Sequence, residues 1–388
     1  MPLKLGLLDN AIERMMEVVA AEDRSQWLER ARALLRDVDP DELRVKLQDR
    51  RIRAPWLVAI PVNTMDGVFA TPDCPRNFGV VGADGSSIPP DRHSSVRYYV
   101  INAGHAILTY GDQPHANLDS SAHLYFRDED LYLDPLTGSF PIQGARLSVK
   151  MGVAELRVLR KASKEVEVPV VALRDGSLIL WALQNEDAQV QRHFLGEFLG
   201  CLEGLRAAGI PVVSYISYPG ARDVVNSLRV WLCRGQPIDC LNCSSPEVMD
   251  FCRALVGILD RQLFGFLGAG ERSDIFESTS AIVDQYAVHR IQFFYLEVGG
   301  EVVRIEAPQW VMGNSEMLDL AQALVYDQCR RSGIHPPYPP ALQEAHEQAV
   351  ISSADRRLVE GLVERALARR GIMYTRSAKD RSKRRRAV

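Results

Sequence analysis

The chain has 388 residues, 46% of them hydrophobic and 25% charged, the composition of an ordinary soluble protein that can bury a large core in one big domain with appendages or in two. No apolar run reaches the roughly 18 to 20 residues that a membrane-crossing helix needs, and the N-terminus Met1-Pro2-Leu3-Lys4-Leu5-Gly6 lacks the apolar stretch of a secretory signal, so a cytoplasmic location is expected. Seven cysteines, an odd number without a signal peptide, argue against a disulfide framework, and the net charge of −4 is unevenly spread: residues 376–388 hold seven Lys or Arg and one Asp. That tail carries +6 and the remainder −10, so a disordered basic end free to touch phosphate, Lys383-Arg384-Arg385-Arg386 included, is one expectation; a solvated tail that aids solubility is the other.

In chain order, helices are predicted over Leu7 to Ala21 and Arg24 to Val38, with a third segment opened by Asp39-Pro40-Asp41-Glu42. Rich in charge and poor in aromatics, residues 1–50 read as a helical arm. After Pro55 the pattern turns to short β-prone runs: Trp56 to Ile60, Phe78 to Ala83, Val96 to Ala103 and Ala106 to Tyr110, the last two parted by Gly104-His105 as in a meander. A helix follows over Arg146 to Lys164, where Val149, Val153, Leu156 and Leu159 recur at helical spacing. Then come a buried strand over Val168 to Leu173 and a helix over Ala188 to Ala208 with Val190, Phe194, Phe198, Leu202 and Leu205 on one face. A strand over Pro211 to Ser217, a helix over Asp223 to Cys233, a hairpin of Ile291 to Val298 with Glu301 to Ile305 about Gly299-Gly300, and helices over Glu316 to Arg331 and Pro340 to Arg370 complete the pattern. The expected domains are the arm at 1–50, a main domain at 51–371 and the basic tail at 372–388.

Within this pattern the tripeptide Asp-Gly-Ser occurs twice beside an apolar run, as Asp84-Gly85-Ser86 after Phe78 to Ala83 and as Asp175-Gly176-Ser177 after Pro169 to Leu173. A carboxylate at a strand edge, followed by a glycine that admits close approach, is one way to hold a divalent ion; an Asp-Gly turn is the commoner use of the same letters. A second candidate metal cluster is Cys233, Cys240, Cys243 and Cys252, where Cys240-Leu241-Asn242-Cys243 has the two-residue gap of a zinc or iron–sulfur site, although the outer spacings match no zinc motif.

Strands first, then helix, strand, helix, strand and a final helix form a mixed α/β order that resembles the ribonuclease H-like arrangement, a mixed sheet flanked by helices. In a nuclease of that fold, carboxylates come from the first strand, from the helix after the meander and from a later strand, with a last ligand on a C-terminal helix. The residues at those points here are Asp84, Glu155, Asp175 and His346. Phosphodiester hydrolysis places charge on the attacking and leaving oxygens, which two cations about 4 Å apart can stabilise, and clustered carboxylates are otherwise unfavourable. Oxygen ligands suit magnesium or manganese, and an imidazole tilts the choice to manganese.

The ordered segments Gly82 to Ser86, Tyr98 to Asn102, Arg174 to Leu178, Tyr215-Ile216-Ser217, Phe293 to Leu296, Arg304 to Trp310 and Tyr338 to Glu347 make residues 55–370 similar to the NurA-type nucleases. That resemblance implies a manganese-dependent DNA nuclease acting at DNA ends from the 5′ side and on single strands, a HerA-type hexameric translocase as partner, a homodimer with a DNA channel, and Asp84, Glu155, Asp175 and His346 as metal ligands. Glu165 and Glu167 are alternatives to Glu155. Tyr215, Arg222 and Arg229 are candidate DNA contacts, each with a plainer role as a core tyrosine or a solvated helix charge. No Gly-x-x-x-x-Gly-Lys-Ser/Thr loop occurs, so ATP hydrolysis would fall to the partner, for which the arm is the candidate contact. The competing readings are a non-catalytic nucleic-acid-binding scaffold of the same fold and a guide-dependent slicer.

Overall fold

The computed structural model describes residues 8–21, 25–49, 52–91, 96–233, 238–243 and 246–372. The basic tail lies outside them. By Cα packing the chain divides into two compact units, one of residues 1–68, 219–267 and 273–279, the other of 69–218, 268–272 and 280–388. Among the described residues no helix is long and apolar enough to cross a membrane.

The first unit contains the N-terminal helices, Asp9–Ala21, Ser25–Asp37 and Pro40–Leu47. Asp39 starts the third by accepting from the backbone N–H of Asp41 and Glu42, with Pro40 in the first turn where no donor is needed. The second helix packs on residues 246–255 through Trp27 stacked on Phe251, 5.8 Å between centroids, with the Arg30 guanidinium 4.2 Å from the Phe251 ring. A short antiparallel pair, Ala59–Pro61 with Phe276–Ser278, and the buried Asp260 carboxylate, which accepts from Val224 and Val225 N–H at the start of the Asp223–Leu232 helix, complete its frame.

The second unit is built on a mixed sheet. Its strands are β1 (Phe78–Ile88), β2 (Tyr99–Tyr110), β3 (His115–Tyr125), β4 (Val170–Asp175), β5 (Val212–Ile216), β6 (Ile291–Glu297) and β7 (Val302–Pro308), in the spatial order β6-β7-β5-β4-β1-β2-β3. β1, β2 and β3 form an antiparallel meander, β1 pairs parallel with β4, β4 parallel with β5, and the β6–β7 hairpin adds antiparallel to β5. The helices that matter for the site are α1 (Ala145–Ser163), α2 (Ala188–Arg206), α3 (Ser315–Arg331), α4 (Pro340–Ala349) and α5 (Ser353–Ala368).

Side-chain alternation along β1 divides its neighbours. Val81 and Ala83 enter the core made by Val149, Val153, Leu156 and Leu159 of α1 and Phe194, Phe198 and Leu202 of α2, all essentially fully buried. Each such side chain contributes about 1.5–3 kcal/mol by leaving water. Gly82, Asp84 and Ser86 point the other way, to α4. There Ala341, Ala345 and Ala349 form a stripe four residues apart, and Gly82 of β1 and Gly104 of β2 let it seat directly on backbone. A β-carbon at 82 would overlap the Ala341 carbonyl, and one at 104 would lie 2.5 Å from Ala349 N. The Asn102 amide donates to the Gln348 and Ala349 carbonyls at 3.1 and 2.9 Å, and Ser86 Oγ also donates to Ala349, so the open C-terminal end of α4 is capped by the sheet.

Three expectations about the elements change. Gly104-His105 is no turn but the middle of a continuous twelve-residue strand, its glycine serving helix contact. Asp84-Gly85-Ser86 lies within β1, not at its end. The helix expected over Pro340 to Arg370 breaks at Val350-Ile351-Ser352, and Ser352 caps α5 by accepting from Asp355 N–H.

Candidate active site

The parallel register aligns Ala83 with Arg174, so Asp84 and Asp175 reach the same end of adjacent strands. Asp84 faces α4, and its Oδ2 lies 2.6 Å from His346 Nδ1. With Asp84 ionised and accepting, Nδ1 carries the hydrogen and a neutral His346 keeps its Nε2 lone pair free to coordinate. Asp175 ends β4; its carboxylate accepts from the Tyr338 hydroxyl, and Tyr338 packs edge-on against Tyr215 at 5.6 Å. Glu155 approaches from α1 on the opposite face of β1. Gly85 admits it: a β-carbon there would lie 2.7 Å from Glu155 Oε1 and 2.8 Å from Met151 Cγ.

Glu155 is almost wholly buried and salt-bridged to Arg174, whose Nε and Nη2 lie 3.1 and 3.0 Å from Oε2. Burial raises the Glu155 carboxyl above the usual carboxylate range; Asp84 and Asp175 push the same way and Arg174 opposes them. Asp175 is likewise raised, first by burial and then by Asp84, with the Tyr338 hydrogen bond acting against the shift. The Asp84 and Asp175 charges both act on Glu155, and Asp84 acts on Asp175, so the three carboxylates from β1, α1 and β4 share one region, although among the described residues no three His, Cys, Asp or Glu are placed to hold a metal as they stand. Such a set is costly to keep together without positive charge beside it.

Behind the second tripeptide a buried frame holds the chain. Ser177 Oγ donates to Glu306 Oε2 at 2.7 Å, Leu178 N–H donates to the same oxygen at 2.9 Å, and Arg304 Nε donates to Glu306 Oε1 at 3.0 Å. Arg304 in turn stacks 3.6 Å over the Phe293 ring. The pair Arg304–Glu306 is therefore structural, as its place on a buried hairpin suggests.

With this geometry in view, comparison with known proteins is decisive at the level of family. The NurA domain model matches residues 78–351, more than half the chain and the whole span from β1 to α4. The chain belongs to the NurA family. The crystal structure of the NurA nuclease from Sulfolobus solfataricus superposes with a TM-score of 0.52 at 14% identity, covering 95% of this chain and 98% of that one, which establishes a common fold. Two other NurA crystal structures, one of them with manganese, align over 92% of the chain at 14% identity, each with a TM-score of 0.38; the alignments cover 97% of the first and 98% of the manganese structure. No curated protein gives a significant match.

Within this NurA-family chain the sequence-predicted residues divide clearly. Asp84, Glu155 and Asp175 are electrostatically coupled, and His346 joins them through Asp84. Glu165 and Glu167 lie beyond the end of α1 and line a different cleft with Asn77, Thr109 and His115. Tyr215 is fully buried, donates to the Pro337 carbonyl at 3.2 Å and supports Tyr338, so it offers no surface to a nucleic acid. Arg222 and Arg229 belong to the other compact unit; Arg222 is exposed at the start of a helix, and Arg229 lies 4.3 Å over the Trp56 ring while donating to Asn226.

Zinc or iron–sulfur binding at Cys233, Cys240, Cys243 and Cys252 is not supported. Among the described residues no group of three or more His, Cys, Asp or Glu is arranged to hold a metal as it stands, and the four cysteines are free. Burial is the main reason the Cys240 thiol is pushed up to about 11, which favours the protonated thiol over the thiolate that metals need.

Two site residues escaped the sequence reading. Tyr338 sits inside a quoted motif, but nothing local marks it as the partner of Asp175. Arg174 is a charged residue on an apolar strand, a pattern that signals a buried pair without naming the partner.

Proposed function

We propose that the chain is a divalent-cation-dependent DNA nuclease that hydrolyses phosphodiester bonds with Asp84, Glu155, Asp175 and His346. The observation that carries this reading is the placing of Asp84 and Asp175 at the same end of adjacent parallel strands, with His346 of α4 2.6 Å from Asp84, on strands ordered 3-2-1-4-5 with only β2 reversed, the order of a ribonuclease H-like nuclease. Membership of the NurA family and the name of the Sulfolobus structure support the same reading.

The donor set fits a hard or borderline cation: carboxylate oxygens for magnesium or manganese, with the imidazole favouring manganese. The same carboxylates are turned to His346, Tyr338 and Arg174 in this structure, so Asp84 and Asp175 would exchange those hydrogen bonds for the cation. When bound, that cation would supply Lewis-acid stabilisation of phosphate oxygens and an activated water. The chain's own groups do the rest. Tyr338 orients the Asp175 carboxylate, Arg174 fixes the Glu155 carboxylate from behind, and His346, exposed at the rim, presents its Nε2 lone pair.

The family supports action at DNA ends, 5′ to 3′ and on single strands, in repair or defence, with a HerA-type hexamer as motor and a homodimer as the working unit in the cytoplasm. The reading keeps 1–50 as the candidate contact for that motor, 51–371 as the nuclease region and 372–388 as a basic tail. The test replaces Asp84 with Ala and follows manganese-dependent cleavage of linear and single-stranded DNA beside DNA binding. Loss of cleavage with binding retained is expected. Unchanged cleavage overturns the site, and a parent chain that binds DNA without cutting it favours the scaffold reading.

A further inference from the structure

Each carboxylate of the site has its own protein donor, and one donor differs from the other two. His346 and Tyr338 are neutral-capable groups that can trade their hydrogen bonds to Asp84 and Asp175 for water. Arg174 is a permanent cation. Its Nε and Nη2 both address one oxygen of Glu155, Oε2, at 3.1 and 3.0 Å, while Nη1 donates to the Ser177 carbonyl within the second tripeptide. The two side chains are only 12% and 6% exposed. The fold reserves room for the guanidinium: Gly152 lies one helical turn before Glu155 on α1, and a β-carbon there would come 3.0 Å from Nη2. The unengaged oxygen, Oε1, is the one that meets the open side of Gly85 on β1.

We propose that Arg174 is the site's resident cation, standing where a second divalent ion would otherwise bind Glu155, so that one divalent ion completes the site. This rests on the reading above, that these carboxylates hold a divalent cation. Three ionised carboxylates against one guanidinium leave two negative charges, which a single divalent ion cancels. A second such ion on Glu155 would share the carboxylate with a fixed positive charge and be repelled. Arg174 is thus a positioning residue: it locks Oε2 and presents Oε1 towards β1.

The test uses the full chain, stripped of metal by a chelator, with manganese alone as the probe. Free manganese is counted by electron paramagnetic resonance during titration, and thermal unfolding is followed with and without the ion. The parent is expected to take up one manganese per chain. Arg174→Met is expected to take up two and to show the larger manganese-induced rise in Tm, because its metal-free form buries Glu155 without a counter-charge. Arg174→Lys, which keeps the charge, should return to one. Arg174→Gln keeps a donor to Glu155 and should also take up two, which covers the case in which the methionine chain does not fold. Two ions on the parent, or one on both neutral variants, overturns the proposal while leaving the metal site intact. No uptake by any of the chains removes the metal site itself, and the proposal with it.

Discussion

Asp84-Gly85-Ser86 and Asp175-Gly176-Ser177 share three letters and little else in their structural duties. The first lies inside an eleven-residue strand, with Asp84 paired to Gly104 across the ladder. The second stands where a strand stops, and Gly176 has φ +75° with open space around its α-carbon. Gly85 is needed for the room it leaves to Glu155; Gly176 is needed for a backbone angle that side chains resist. The serines diverge too: Ser86 caps the helix that carries His346, whereas Ser177 donates a hydrogen bond to the buried Glu306. What the copies share is the placing of one carboxylate at the same end of two adjacent parallel strands.

The largest expected effect tests that shared part. Asp84→Ala and Asp175→Ala should each lower manganese-dependent single-turnover cleavage by about 10³-fold or more, the scale of losing one preorganised electrostatic group. A large loss in one and a small loss in the other would end the equivalence of the two carboxylates.

The glycines should separate next. Gly85→Ala drives a methyl into Glu155 and Met151 and should cost about 10- to 100-fold in rate, the scale of a misplaced supporting group, with about 1–3 kcal/mol of overpacking. Gly176→Ala meets no atom and should cost about 1 kcal/mol through its left-handed backbone, with the rate nearly kept. Urea unfolding and cleavage assays on both variants check the contrast, and equal rate losses would refute it.

The serines follow. Ser177→Ala removes one of Glu306's donors inside a buried frame and should cost about 1–2 kcal/mol. Ser86→Ala should cost about half as much, since Asn102 still donates to the same Ala349 carbonyl. Thermal or urea unfolding measures both.

The smallest effect is one of pH. Asp175 is raised above the usual carboxylate range, chiefly by burial, so the folded chain keeps its proton to higher pH than the unfolded chain does. Its contribution to stability is full below the unfolded value near pH 4 and is lost as the pH climbs through the raised folded value. Asp175→Asn escapes that loss. In metal-free protein its Tm relative to the parent should therefore rise as the pH climbs above about 4 and level off once the raised folded value is passed, and a flat difference would show that Tyr338 already offsets the burial.

Much of this was legible from residue order because the determining signals are periodic. Val149, Val153, Leu156 and Leu159 announce α1 and thereby place Glu155 on it, and the apolar runs before each tripeptide announce β1 and β4. Signals that depend on a distant partner were not legible. The strand His115–Tyr125 is exposed along almost its whole length and carries no apolar alternation, so only its pairing with β2 reveals it. Gly104 read as a turn because the helix that needs its empty side comes more than 230 residues later. Tyr338 could not be tied to Asp175, nor Arg174 to Glu155, since hydrogen-bond partners across elements leave no spacing in the sequence. The cysteines misled in the opposite way: a two-residue gap is local, while closing a metal cage needs every ligand to converge.

The alanine stripe of α4 lies on Gly82 and Gly104 with no side chain between, so helix and sheet are separated by the thickness of the peptide backbone itself. That thickness is the same whatever residues surround it. The interval from Asp84 to His346 is therefore gauged by covalent geometry instead of by packing volume, and substitutions on the outer face of α4 should leave it unaltered. The chain can thus change its surface around this helix freely while the ruler beneath it stays fixed.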